Sequence, residues 1–511
     1  MLLSLAMIVK NEEATLAHCL ESVKPIVDEM VIIDTGSTDK TVEIAMSFGA
    51  LVHNFQWRDD FSAARNESLK HCRGDWVLIM DADEALDPLD YEKIKRACTS
   101  PFAGAYQLTH RHYLPSAICS FSDAAPVPNT SPYSEGNRLP YYFDIPACRL
   151  SRTFDGLSFT GKLHETMEDS LTERGMTIKP LDAVIHHYGK MHDDGDKYKG
   201  RYYLMIAARE AELNSASSKA QYNLMQEAIP TKRWDLAITA AENYEKICPE
   251  SDNFVLYGKA LALQGLDKHK EAIQQFDFLL GKDPKHVKAM SGKAISMIAL
   301  GNIDAGRETM LDAIKLDPKF ATGYLYLAEH ELKHKNTEAA RTILLDSIRA
   351  IPNEPTLYDR LINIELEEGN LDQVAHIAAQ AIKMCPGKGD GTWENLVAQC
   401  SSQMAELELD TGFPESAREL LEEAMELVTN APFLYDLLIK IEMMAEDMPQ
   451  AAQVALQGIH YCPGGNVEWY RLAAVCLSSD GDNLGAKSVL EEGLKTFPGD
   501  PNLTKLMVIV Q

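Results

Sequence analysis

The chain has 511 residues, 45% of them hydrophobic and 24% charged, and a formal net charge of −27. That length exceeds what one hydrophobic core supports, so two or more domains are expected, and the acidity argues against a nucleic-acid binder and against docking on an anionic membrane. No apolar run approaches the roughly eighteen residues of a membrane span, and the ten scattered cysteines, with no CxxC among them, read as reduced, buried thiols rather than a disulfide frame or a zinc site.

The opening Met1–Val9 has the apolarity of a signal peptide. No basic residue precedes it, however, and Lys10-Asn11-Glu12-Glu13 follow where a small-residue cleavage site would stand. It reads as a first strand, Leu3–Val9, and the protein is expected in the cytoplasm. A helix pattern over 12–23 follows, with Leu16, Cys19, Leu20 and Val23 on one face. A second strand covers 30–34 and a helix 41–48, with Ser37 or Thr38 as its N-cap. A short third strand at 50–53, a helix at 61–72 and a fourth strand at 77–80 complete the first hundred residues. Such alternation predicts an α/β domain with a mostly parallel sheet and helices on both faces.

Two of these strands run into an acid, Asp34 after Val31-Ile32-Ile33 and Asp81 after Leu78-Ile79-Met80. Ligands of open α/β sheets gather at the carboxyl ends of strands. There, strand alternation puts Asp81 and Asp83 on one side, where two hard oxygen donors suit Mn²⁺ or Mg²⁺ holding a diphosphate. A nucleotide base and ribose fit beside Asp34. Neither GxGxxG after the first strand nor GxxxxGK[ST] occurs, which argues against a dinucleotide enzyme and a P-loop NTPase. Further on, Pro115 to Pro146 is poor in periodic positions and follows His110-Arg111-His112-Tyr113; it reads either as an active-site flap touching the acceptor or as a plain insertion. His164-Glu165 and His186-His187 read either as a metal site or as turn histidines bonded to backbone.

Four segments then carry a family resemblance: Ile8-Val9-Lys10-Asn11-Glu12-Glu13, Ile33-Asp34-Thr35-Gly36-Ser37-Thr38-Asp39-Lys40-Thr41, Phe61-Ser62-Ala63-Ala64-Arg65-Asn66 and Met80-Asp81-Ala82-Asp83-Glu84. In order and spacing they resemble family-2 glycosyltransferases of the GT-A fold. Thr35 stands where the family often has a second acid. Arg149-Leu150-Ser151-Arg152, Gly161-Lys162-Leu163-His164-Glu165 and His187-Tyr188-Gly189 resemble the segments that complete the site in the bacterial group containing the sublancin-type S-glycosyltransferase. The departures are Ser151, where that group often has Phe, and Lys190, where it often has Tyr.

The resemblance implies a metal-dependent, inverting hexosyl transfer from a nucleotide-sugar, with a UDP-sugar favoured. In that reading Val9, Lys10, Glu12, Asp34, Arg65, Asp81 and Ala82 hold the nucleotide-sugar. Arg149 and Arg152 supply fixed positive charge toward phosphate. Asp81, Asp83 and His187 hold the Mn²⁺ or Mg²⁺, and Glu165 or His164 is the acceptor-side base.

From residue 217 the pattern is helical throughout. Prolines recur at Pro249, Pro284, Pro318, Pro352 and Pro386, intervals of 35, 34, 34 and 34, each about twelve positions after a small or apolar residue (Ala237, Ala272, Gly306, Ala340, Val374). The frame returns at Ala451 with Pro463 and Ala486 with Pro498, after an irregular segment at 387–431. This period resembles tetratricopeptide repeats, in which helix pairs bury their apolar faces against neighbouring pairs. Tyr324, Tyr326, Phe276, Tyr358 and Tyr435 are expected in that core, and 503–510 as a capping helix.

The expected architecture is therefore a GT-A domain at 1–196, a connecting helix at 197–216 and an all-α repeat domain at 217–511. A chain ending near residue 215 should then keep nucleotide-sugar hydrolysis and lose transfer to a protein. The repeats fit a protein or peptide acceptor, with self-association into a homodimer as another use. Two other readings stand beside this one. The first is a binding scaffold with an inactive transferase domain; the second is a transferase acting on a glycan or lipid-linked acceptor.

Overall fold

The structure is a computed structural model, and it describes residues 2–101, 103–114, 126–136, 139, 141–188, 197–250, 252–386 and 391–510. Residues 115–125 (Cys119 among them), 137, 138 and 140 of the 115–146 stretch, and Gly189 and Lys190, lie outside the described residues. The chain forms two compact units, Met1–Gly323 and Tyr324–Gln511.

Among the described residues of the first unit, nine strands make one sheet: β1 (Leu3–Val9), β2 (Glu29–Asp34), β3 (Leu51–Asn54), β4 (Trp76–Ile79), β5 (Glu84–Leu86), β6 (Ala105–Leu114), β7 (Val127–Pro128), β8 (Tyr141–Arg152) and β9 (Ile178–His187). Their order is β3-β2-β1-β4-β8-β6-β9-β5, with β7 on β8. The expected parallel pairing holds for β1 to β4. Beyond them the sheet is mixed: β8 runs antiparallel to β4 and β6, β5 antiparallel to β9, and β6 parallel to β9.

Helices cover both faces, which is why the first strands are apolar on alternate and intervening positions alike. Leu3, Leu5, Met7, Met30, Ile32, Trp76 and Leu78 share a core with Leu16, Cys19 and Leu20 of α1 (Leu16–Val23). After α1, α2 (Thr41–Ser47) packs beside β3. Ala6, Val77 and Ile79 face the other way, onto Leu69 of α3 (Phe61–His71); α4 (Tyr91–Thr99) joins the first core through Ile94 and Ala97, and Leu171 of α5 (Glu168–Glu173) packs with Ala6, Val77 and Ile79.

Two local expectations are corrected. Residues 12–15 form a turn, and the helix starts only at Leu16. Helix α2 is capped neither by Ser37 nor by Thr38. Asp39 Oδ1 accepts from the Thr41 amide at 3.0 Å, while Ser37 and Thr38 are taken up by Asn11 of the neighbouring strand end.

Helices continue through the rest of this unit, beginning with α6 (Lys197–Leu213) and α7 (Ser218–Ala228). The small-residue positions of the repeat frame are buried: Ala237 and Ala272 completely, and Gly306 because a Cβ there would lie 2.5 Å from Ile298. In the second unit Ala340, Val374, Ala451 and Ala486 are fully buried in the same helical register. The 387–431 segment is not irregular where it is described. It holds the helices Thr392–Thr411 and Pro414–Leu427, and Ala417 is buried like its counterparts. The pattern was hidden because Thr429 stands in the proline position and the first helix is 20 residues long. Phe276, Tyr358 and Tyr435 are core residues as expected, whereas Tyr324 and Tyr326 are only half-buried. The last helix is Pro501–Val510. No described helix is long and apolar enough to cross a membrane.

Candidate active site

The carboxyl ends of β1, β2 and β4 come together as parallel neighbours, which brings Val9, Asp34 and Asp81 to one edge. At Asp34 the chain turns sharply. Gly36 takes φ +108°, and the Asp34 carboxylate accepts from the amides of Gly36 (3.2 Å) and Ser37 (3.0 Å). The Val9 carbonyl receives both the amide and the hydroxyl of Thr35, each at 3.0 Å. Lys10 is exposed, while the Glu12 amide donates to Thr41 Oγ1. Burial, with the negative charges of Asp83 and Asp81 behind it, raises the Glu12 carboxyl above its ordinary range against the opposing Thr15 hydrogen bond.

Asp81 and Asp83 do not sit on one strand face. Strand β4 ends at Ile79 and the chain turns, with the Glu84 amide donating to the Asp81 carbonyl, so strand alternation no longer applies. The two carboxylates instead serve different partners. Asp81 is gripped by two arginines: Arg65 Nη2 at 2.6 Å and Arg149 Nη2 at 3.4 Å. Burial alone would raise this carboxyl, but the charges of Arg65 and Arg149 drive it far below the usual carboxylate range. Asp83 Oδ2 lies 3.2 Å from His187 Nε2. Burial lowers the proton affinity of His187, yet the Asp83 hydrogen bond and the charges of Asp83, Glu84 and Asp81 bring it above the ordinary imidazole value. Adjoining Ala82 and Asp83 is a cleft of about 250 Å³, also lined by Ala14, Thr15, His18, Glu84, Glu135 and Tyr188.

Arg65 also explains the placement of Glu165. Its Nε donates to Glu165 Oε1 at 2.6 Å, so one buried guanidinium joins Asp81 to the loop at 157–167. Asn66, the next residue, exchanges hydrogen bonds with the Phe159 backbone at 2.7 and 3.0 Å and fixes that loop to α3. On its other side the loop is held by the helices: Glu210 accepts from the Lys162 amide, Asn223 donates to the Leu163 carbonyl, and Lys219 donates to the Thr160 carbonyl. His164, at φ +49°, points Nε2 to Glu227 Oε1 of α7 at 2.9 Å. Such a conformation is costly for a residue with a Cβ and persists where surrounding contacts enforce it.

Arg65→Leu is expected to lower stability by about 3–5 kcal/mol, because it strips Glu165 of its buried cation and Asp81 of its nearer one. Equilibrium urea denaturation reads this directly; an unchanged midpoint would mean the pair contributes nothing to the fold.

Arg152 stands apart from the other expected residues. In the antiparallel β4–β8 register it pairs with Trp76, at the opposite end of β4 from Asp81. Its guanidinium donates to the Ser100 and Ala103 carbonyls and covers the Trp76 ring, so it is a structural residue. The cause is strand geometry: three residues along a strand span about 10 Å and reverse the face.

Four neighbours were not anticipated as site residues. Glu84 is fully buried between Arg149 (3.0 Å) and the Asp81 amide (2.8 Å). His110 and His112 of β6 lie beside His187, and the alternation His-x-His in a strand was the signal for them. Glu227 is 63 residues away in sequence from His164, and no local pattern announces it. His186 faces away from Asp83; it is buried against Tyr113, and burial lowers its pKa to about 4.

Residues 4–150 match the profile of the family described as Glycosyl transferase family 2, and residues 293–355 match a tetratricopeptide repeat profile. The chain is similar to a TPR repeat-containing protein of Synechococcus elongatus, at 35% identity over 37% of this chain and 43% of the relative. It is also similar to an uncharacterized glycosyltransferase of Rickettsia bellii, at 42% identity over 36% of this chain and 59% of the relative. A third relative is the prophage-derived glycosyltransferase SunS of Bacillus subtilis, at 32% identity over 31% and 33%. Each match spans less than two thirds of the relative's own length. The chain carries a family-2 glycosyltransferase domain at its amino end, followed by tetratricopeptide repeats.

Proposed function

We propose that this protein transfers a hexosyl group from a nucleotide-sugar, UDP-sugars favoured, to a protein or peptide, with inversion and with a divalent cation. One observation carries the reading above the rest. Asp83 and His187, from separate elements, meet at 3.2 Å beside a cleft at the carboxyl edge of the sheet, two residues from an arginine-bound Asp81. A carboxylate oxygen and an imidazole nitrogen at that separation are a donor pair that Mn²⁺ or Mg²⁺ accepts, so the residues fit the ion. Asp83, His187 and Asp81 would hold it, and it would supply positive charge against the diphosphate as that group leaves.

The protein's own groups have separable tasks in this reading. Asp34, at the turn after β2, faces the base or ribose, and Val9, Lys10, Glu12 and Ala82 line the nucleotide's approach. Arg149 and Arg65 keep fixed positive charge beside Asp81 throughout the reaction, with no reorganisation needed when charge develops. Glu165 is committed to Arg65. His164 is the more open of the two base candidates, with 42% of its side chain exposed against 12% for Glu165, and the Glu227 carboxylate fixes its ring. We therefore assign the base to His164 and the orienting role to Glu227. The working transferase then extends past residue 216 to include α7, and the remaining repeats serve the acceptor. That last point rests on the general use of helical-repeat surfaces in peptide binding.

The donor half is tested by thermal shift of the full chain against UDP, GDP, dTDP and CMP, with and without Mn²⁺. Stabilisation by UDP only when Mn²⁺ is present is expected; no shift with any nucleotide would overturn the transferase reading. The base is tested by the kinetics of two variants. His164→Asn is expected to lose about 10²–10⁴-fold in kcat. Glu165→Gln should lose less, and the reverse result would exchange their roles.

A further inference from the structure

We propose that His110, His112 and His187 form a binding site for one divalent transition-metal ion of the imidazole-preferring class, Zn²⁺ or Co²⁺. This site goes beyond the transferase reading and shares with it His187, through its other ring nitrogen, and the neighbouring Asp83. Strand alternation puts His110 and His112 on one face of β6. Parallel pairing then sets His187 of β9 directly opposite His112, so three imidazoles converge from two adjacent strands. Their ring centroids are 4.3, 4.9 and 4.6 Å apart, and one nitrogen of each lies within 4.8 Å of the others.

Four details characterise this cluster. His187 spends Nε2 on Asp83 and turns Nδ1 to within 2.8 Å of His112 Nδ1, so two ring nitrogens are aimed at each other. His110 Nε2 is buried without an aligned hydrogen bond, although Glu84 Oε1 is 2.8 Å away. Asp83 on His187 and Glu84 beside His110 are the carboxylate neighbours that metal-ligating histidines ordinarily have, and they supply negative charge toward a cation. The His112 ring is stacked flat on Phe143 at 4.7 Å, which holds its plane. A four-coordinate ion with nitrogens at about 2.1 Å needs its ligands roughly 3.4 Å apart, a small contraction of the present cluster. Three neutral imidazoles select such an ion over Mg²⁺, which prefers oxygen.

The test uses the full chain, stripped by a chelator and titrated with Co²⁺ alone. A saturable visible ligand-field band from a single equivalent is expected, displaced by Zn²⁺ but not by excess Mg²⁺. Affinity should fall at least about tenfold in His110→Ala and in His112→Ala. X-ray absorption on the cobalt-loaded wild-type chain counts imidazole ligands without any variant, and two or more are expected. No band, a band untouched by either histidine change, or fewer than two imidazoles would overturn the site. Because no nucleotide is present, failure here leaves the nucleotide-dependent shift with UDP and Mn²⁺ as a separate result.

Discussion

Asp83→Ala is expected to lower sugar transfer by about a thousandfold or more, since the several kcal/mol of charge stabilisation at the leaving diphosphate depends on this carboxylate in the proposed mechanism. The same change should abolish the Mn²⁺-dependent thermal shift with UDP. Its structural cost is small. Asp83 lies in a turn with about a quarter of its side chain exposed, and the backbone bond from the Tyr188 amide to its carbonyl does not involve the side chain. Asp81→Ala is a less clean experiment, because it also leaves Arg65 and Arg149 short of a partner and mixes lost catalysis with lost stability. Retained turnover in a folded Asp83→Ala protein would remove the metal–diphosphate mechanism.

The early strands could be read from sequence because a sheet covered on both faces forces apolar runs, and because the acids that end β2 and β4 interrupt those runs visibly. What escaped was set by register. Arg149 and Arg152 look equivalent in a short motif, yet the β4–β8 pairing sends one to the site and the other under Trp76. His110 and His112 acquire meaning only once β6 is known to pair with β9, which joins positions 75 residues apart. The repeat frame was legible wherever proline marked it and lost where Thr429 replaced the marker, although Ala417 packs like the rest. Within the motif Phe61-Ser62-Ala63-Ala64-Arg65-Asn66 the family resemblance gives a role to the arginine alone. Its asparagine proves equally placed, since it ties α3 to the loop that carries His164 and Glu165.

That loop decides the second large effect. Ending the chain after residue 216 is expected to destroy the transferase rather than to free it from its acceptor, which reverses the outcome that the sequence pattern alone implies. Helix α7 begins at Ser218 and supplies Asn223 to the Leu163 carbonyl, Lys219 to the Thr160 carbonyl and Glu227 to His164. Leu163 is buried in one core with Leu204, Ile206 and Ala207 of α6 and Leu224, Met225 and Ala228 of α7. Removing α7 uncovers the apolar face of α6 and leaves the His164 conformation unsupported, so nucleotide-sugar hydrolysis should be lost along with protein transfer. The fragment should also lack a cooperative urea transition by near-ultraviolet circular dichroism. Glu227→Gln in the full chain separates the two causes. It keeps the packing and the reach toward His164 but removes the charge, and kcat is expected to fall by about 10- to 100-fold with the unfolding midpoint little changed. A 1–216 fragment that unfolds cooperatively and still hydrolyses the donor would place the catalytic boundary before α7 and return the repeats to acceptor binding alone.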